Sequence, residues 1–185
     1  MIYLVRHGLD DERYLGGWSD VDLIDEGYKQ IENATKFIVD KKLVINKIIS
    51  SDVIRARNTA NIINKQLKLE ISYTKDLREL NKGLYNGVLK KSLGQEELLR
   101  IKKFDINDKF PNGESTIELY NRMKKCLKKL EKYDNVLIVT HRGVINMFYY
   151  LLNDLELDMD KERFDVTHGS IHEMDIKRKL IRRIF

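Results

Sequence analysis

Two short stretches constrain this chain more than anything else in it: "MIYLVRHG" at the start and "NVLIVTHRG" far downstream. Each is an apolar run the length of one strand, with no alternating polar residue to give it a wet face. A strand of that kind is buried on both sides and belongs to a sheet covered by helices. Both runs end on costly groups. Arg6, His7 and Gly8 close the first, and His141, Arg142 and Gly143 close the second. Polar side chains at the mouth of a buried strand need a reason, and the repetition points to one reason for both.

The remaining elements supply the sheet and its cover. "INKIIS" (Ile45–Ser50) reads as another buried strand, and "EISYT" (Glu70–Thr74) as one nearer an edge. "SIHEMDI" and "KLIRRIF" flank Lys177–Arg178 and predict a C-terminal hairpin. Helical spacing runs from Asp25, read as the cap, to Val39, and again from Val53 to Leu67. Ser115 and Glu118 form a capping box ahead of the stripe Leu119, Met123, Cys126, Leu127 and Leu130. Val144–Leu152 is apolar nearly all round and predicts a buried helix; Ser92–Phe104 is a further helical segment. Strands alternating with helices imply an α/β fold with a mostly parallel sheet covered on both faces. Ligands of such sheets bind at the carboxyl ends of the strands. Arg6–His7–Gly8, Ser50–Ser51–Asp52 and His141–Arg142–Gly143 are expected along that one edge.

Composition narrows the function classes. The chain has 185 residues, 42% hydrophobic and 34% charged, with one proline, Pro111, and no low-complexity tract. That predicts a single domain, 1–185, with a small lid or cap around residues 82–112. No run approaches the roughly 18 apolar residues of a membrane span. A chain that opens directly on a strand-like run is expected to lack a secretory leader. One cysteine, Cys126, cannot form an internal disulfide, which fits a reducing, cytoplasmic setting. The net charge of +5 has two readings: a nucleic-acid or membrane surface, or coated helices plus cations for a small anionic substrate. The charges are interspersed, so the second is preferred; neither nucleic acid nor membrane is an expected partner.

The chemistry of the edge follows from its residue types. Arg6, Arg55 and helix N–H groups make an anion site, and phosphate is the common occupant. Cationic neighbours disfavour protonation of His7, and a neutral imidazole is a nucleophile. Attack on phosphorus gives a phosphohistidine. The arginines and His141 hold the charge on the equatorial oxygens, which asks for no metal and no cofactor. Glu79, in "DLREL", follows the third strand and can protonate the leaving oxygen.

"LVRHG", "SSDVIRARNTA", "LREL", "PNGES" and "IVTHRGV", in that order, resemble the histidine phosphatase superfamily, the phosphoglycerate-mutase-like proteins. The resemblance covers nearly the whole chain. It implies a three-layer α/β/α sandwich, His7 as nucleophile, a phosphate pocket of Arg6, Arg55 and His141, and Glu79 as proton donor. It also implies substrate contacts from Gly8 and from Arg13, whose "RYLGG" is similar to the family's Arg-x-x-Gly. Arg142 stands where relatives carry a small residue, and either adds a phosphate contact or points outward. His168 is expected to line the pocket, since the family's Ser-Ile strand begins near the site. Where many members carry Thr or Ser and then Asn, this chain has "LDDERYLGGWSD". Asp10 and Asp11 are therefore either a specificity feature or a solvated loop. Trp18 reads as a substrate platform or as packing. His168 and His172, four apart on a strand, would lie roughly a dozen ångströms apart, so they are not expected to share a zinc.

The expected function is a metal-independent phosphomonoesterase acting on a small phosphorylated metabolite, as a monomer or homodimer. The alternatives are a phosphoglycerate mutase and a non-catalytic phospho-ligand-binding protein of the same fold. Mutase activity needs its intermediate shielded from water, and the modest lid favours the phosphatase.

Overall fold

The computed structural model describes residues 1–160 and 162–185. Its centre is one six-stranded sheet in the order β3-β2-β4-β1-β5-β6. The strands are β1 (Ile2–Arg6), β2 (Lys47–Ser51), β3 (Ile71–Thr74), β4 (Val136–Thr140), β5 (Ile171–Asp175) and β6 (Leu180–Arg183). β1 to β4 run parallel, while β5 and β6 run antiparallel as the predicted hairpin. Its turn bends through Lys179 at φ 53°, the left-handed conformation that an Asn-Gly pair would otherwise supply.

Successive side chains of a strand point to opposite faces, and that period of two builds the layers. Val5, Ile48, Leu137, Val139 and Ile171 face α1 (Asp25–Asp40) and α2 (Ile54–Leu67). Leu4, Ile49, Ile138 and Met174 face α4 (Thr116–Leu130) and α5 (Arg142–Leu152). Two separate cores on the two faces of one sheet make the three-layer sandwich. The interior strands β1 and β4 are buried throughout, which is why they read as unbroken apolar runs.

The helix boundaries hold with three corrections, one of them that the segment read as helical over Ser92–Phe104 is an α-helix only over Gln95–Lys102. Asp25 is the first residue of α1 rather than its cap; Ile24 occupies that position, with no side-chain bond to the helix. Asp25 and Glu26 instead place negative charge in the first turn, where the helix dipole favours it. α5 begins at Arg142, two residues before the apolar run. The capping box of Ser115 and Glu118 is formed. Residues 82–112 hold two short 3-10 turns, Gly83–Tyr85 and Lys90–Ser92, and α3 (Gln95–Lys102). Phe110 packs there against Tyr85 and Phe104.

Candidate active site

Strand register builds this site. Arg6 lies opposite Thr140 across β1 and β4, and Ser50 lies opposite Val139 across β2 and β4. Three parallel strands therefore end level, and His7 and His141 leave the sheet beside Ser51, the last residue of β2. The rings of His7 and His141 are 5.0 Å apart, and that of His168 is 5.5 Å from His7.

His7 is buried, with Nδ1 2.7 Å from the Gly8 carbonyl oxygen. A carbonyl only accepts, so Nδ1 carries the proton and Nε2 keeps its lone pair. Burial, and then the charges of Arg55 and Arg6, hold the His7 pKa well below its ordinary value. The ring is neutral at pH 7. Gly8 lets β1 run close against α1: a Cβ there would stand 2.4 Å from the Gly27 carbonyl oxygen.

Arg55, in the first turn of α2, is fully buried. Its Nη2 donates to Gly17 O at 2.7 Å, and Nη1 reaches Ser19 O at 3.3 Å. These carbonyls orient the guanidinium, and its Nε then faces His7 Nε2 at 3.4 Å. Arg6 is held in the same way, by a 2.7 Å bond to Val166 O and a 2.6 Å bond to His168 Nε2. Burial, and then Arg142, lower the Arg6 pKa to about 10, so it stays charged. Burial, then Arg6, push His168 down to about 3, which leaves it a neutral acceptor for Arg6.

His141 is anchored at both nitrogens. Nδ1 faces Arg55 Nη2 at 3.5 Å, and Nε2 lies 2.9 Å from Ser51 Oγ. A guanidinium only donates, so Nδ1 accepts and Nε2–H donates to the serine. Burial, then Arg55, keep this ring far below its ordinary pKa too.

Glu79 is docked on the start of α5. Its Oε1 accepts from Leu80 N at 2.9 Å and its Oε2 from Gly143 N at 3.0 Å. A Cβ at position 143 would fall 2.2 Å from Oε1, so the glycine after His141-Arg142 is what lets the carboxylate approach. The Glu79 backbone is pinned as well. Its carbonyl accepts from Trp18 Nε1 at 2.7 Å and from Arg122 Nη2 at 3.1 Å. Glu114 grips Arg122 through two bonds of 2.9 and 3.0 Å.

The expected site residues thus fall into three groups. His7, Arg6, Arg55, His141, His168 and Gly8 converge with Glu79 around one cationic cup. Arg142 stands at its rim: it pairs with Glu162 at 2.6 Å and lines an open cavity of about 440 Å³ with Arg6 and His168. Arg13 is not brought to the cup. Asp11, two residues before it, chelates its guanidinium, and the side chain is 77% exposed. The two neighbouring aspartates part company: Asp11 turns outward, whereas Asp10 enters, with Oδ2 3.3 Å from Arg55 Nε. His7, Asp10 and His168 offer polar atoms within 4.8 Å of one another, but Arg55 and Arg6 already face them. Two fixed cations make the cup a place for an anion rather than a metal dication.

Sequence reasoning placed Ser51 at this edge but not its bond to His141, and it missed Arg122 and Ser19, which carry no local signal because each acts through a partner on another element. Glu114 lies within "PNGES" and was visible as part of the motif, though not as the clamp on Arg122. Trp18 is a packing residue here, with its N–H on the Glu79 carbonyl and its ring under Arg78 at 4.7 Å.

The chain is similar to known proteins in sequence and in fold. A "Phosphoglycerate mutase-like protein 4" of Arabidopsis thaliana is 33% identical over 159 residues, 80% of this chain and 69% of that protein. A "Probable phosphoglycerate mutase" of Escherichia coli is 35% identical over 150 residues, 76% of this chain and 68% of that protein. The fold matches that of a putative alpha-ribazole-5'-P phosphatase from Escherichia coli at a TM-score of 0.83, with 20% identity over 99% of this chain and 93% of that one. The family model of the histidine phosphatase superfamily (branch 1) matches residues 2–183, and with the cup in place the chain belongs to that superfamily.

Proposed function

We propose that the protein hydrolyses a small phosphomonoester through a phosphohistidine on His7. The observation that carries this reading is the His7 ring itself. It is buried, neutral and protonated on Nδ1, so its Nε2 lone pair faces the fixed guanidinium of Arg55, with the charge of Arg6 also acting on the ring. In the first half-reaction Nε2 attacks phosphorus and the ester oxygen leaves with the proton that Glu79 delivers. In the second, water attacks the phosphohistidine while Glu79 accepts its proton. Arg6 and Arg55 stabilise the charge on the transferring group, and His141, which accepts from Arg55 Nη2, helps hold that guanidinium in place. The cavity of about 140 Å³ beside Glu79, lined by Leu80, Arg142, Gly143 and Met147, is placed to take the leaving alcohol. Leu80, Leu119, Met147 and Met159 give it apolar surface beside the charges of Lys82, Arg142, Asp158 and Asp160, which suits an alcohol with both apolar and polar parts.

Steady-state turnover of p-nitrophenyl phosphate in EDTA is the test. Turnover with an acid-labile phosphoenzyme on His7 supports the reading; a strong loss on adding EDTA, or no adduct, defeats the metal-free mechanism. Glu79→Gln should slow poor leaving groups far more than p-nitrophenol, whose oxygen hardly needs a proton. Equal slowing of both would remove Glu79 from the acid role. The mutase reading draws on the names of the two sequence relatives. It predicts interconversion of 2- and 3-phosphoglycerate faster than release of inorganic phosphate from either.

A further inference from the structure

Asp10 is a carboxylate inside a cup built for anions. Its side chain is 14% exposed, its Oδ2 is 3.3 Å from Arg55 Nε, and its Oδ1 is 3.8 Å from His168 Nε2. Its backbone is fixed there by a bridge to Leu23 and by the bonds of Leu9 to Gln30 and Ile24 on either side of α1's start. Among the described residues it is the one carboxylate within ion-pair distance of Arg55. The Arg55 Nε that faces Asp10 also faces the His7 nucleophile. A phosphoryl group poised for attack must come to that same nitrogen. A dianion and a carboxylate cannot share it while both are fully charged.

We propose that Asp10 is a substrate-binding residue that takes up one proton when the phosphoryl group enters, its carboxyl O–H then donating to a phosphoryl oxygen. The proposal rests on the phosphoryl-transfer reading above. The proton balance is simple. A phosphomonoester arriving as the monoanion hands its proton to the Asp10 carboxylate and is bound as the dianion; arriving as the dianion, it binds with uptake of a proton from buffer. Either way the complex holds one proton more than free enzyme plus dianion.

The surroundings of Asp10 support this exchange. Arg55 from α2, Arg6 from β1 and the neutral His168 ahead of β5 face it, and Glu12 is the charged neighbour on its own segment. Asp11 and Arg13 neutralise each other outside. Burial already lifts the Asp10 pKa above its ordinary value in spite of Arg55 and Arg6. An incoming dianion engages those two cations and adds negative charge beside the carboxylate, which moves it further in the same direction.

Calorimetric titration with inorganic phosphate, in two buffers of different ionisation enthalpy between pH 7.5 and 9, tests the proposal. Over that range the ligand is mainly dianionic. The wild-type protein should take up close to one proton per phosphate, and affinity should fall about tenfold per pH unit. Asp10→Asn and Asp10→Ser should take up markedly less and show a flatter dependence. Glu79 is present in all three proteins, so its contribution cancels in the comparison. Phosphate binding by the wild type without proton uptake, or with the same uptake in both variants, overturns the role of Asp10 and leaves the phosphatase reading standing. Absence of any phosphate binding together with absence of p-nitrophenyl phosphate turnover overturns both.

Discussion

The two strand ends that opened the sequence are near copies in residue type and opposites in the structure. At β1 the histidine is tied through Nδ1 to the carbonyl of its own neighbour, Gly8, and its other nitrogen is left as a lone pair facing a cation. At β4 the histidine is held on both nitrogens, by Arg55 and by Ser51. The arginines differ in the same sense. Arg6 is buried and anchored to Val166 and His168, whereas Arg142 pairs with Glu162 at the rim, its side chain 35% exposed. In the proposed reaction, two similar motifs thus provide a nucleophile and a charge-stabilising frame. The hydrogen bond on the far side of each ring decides which is which.

The largest expected effect of breaking this asymmetry is at His7. His7→Ala should lower kcat by more than about 10⁴-fold and abolish the acid-labile phosphoenzyme, with the circular dichroism spectrum unchanged. His141→Asn should cost less, on the order of 10²- to 10³-fold, because it removes a support of the charge-stabilising Arg55 and not the attacking atom. The phosphoenzyme should still be trapped in that variant. If the adduct persists in His7→Ala and vanishes in His141→Asn, the roles are exchanged. Ser51→Ala should lower kcat by about tenfold through loss of the His141 orientation, and should add little on top of His141→Asn. Full additivity in the double variant would show that Ser51 acts elsewhere. Arg142→Ala should change kcat/KM for p-nitrophenyl phosphate by less than about threefold, as its charge is spent on an exposed pair.

A fourth histidine sharpens the contrast further. His172, on β5, is buried away from the cup, where Tyr149 and Ser170 bond its two nitrogens. Burial, and then Arg183, push its pKa down to about 4. The unfolded chain takes up that proton near the ordinary value of about 6.5, so it binds more protons than the native state in between. Stability present above that ordinary value is therefore lost as pH falls from about 6.5 toward 4, by an amount on the order of 1–3 kcal/mol from this residue. The urea midpoint should drop over that window, and drop less in His172→Gln. An equal drop in both would place the acid sensitivity in the cup histidines.

Much of this was legible before any coordinates. The unbroken apolar runs of β1 and β4 announce strands covered on both faces, because a period of two with no polar member leaves no face for water. The order of strands and helices implies the parallel sheet, and the parallel sheet sends His7, Ser51 and His141 to one edge. The capping box at Ser115 was plain because its two partners lie three residues apart. Asp25 misled because an aspartate that begins a helix and one that caps it are the same letter one position apart.

What the amino-acid order settled by itself is what depends on neighbours within a few residues: the strands, the helices, and the kind of chemistry waiting at their ends. What only the folded molecule decided is which polar group meets which. Asp10 turns in and Asp11 turns out, Arg13 is captured on the surface, and Glu79 docks on Gly143 under the grip of Arg122 and Glu114. Backbone periodicity is a local property, whereas a hydrogen bond between elements exists only once sheet register and helix packing have set its distance.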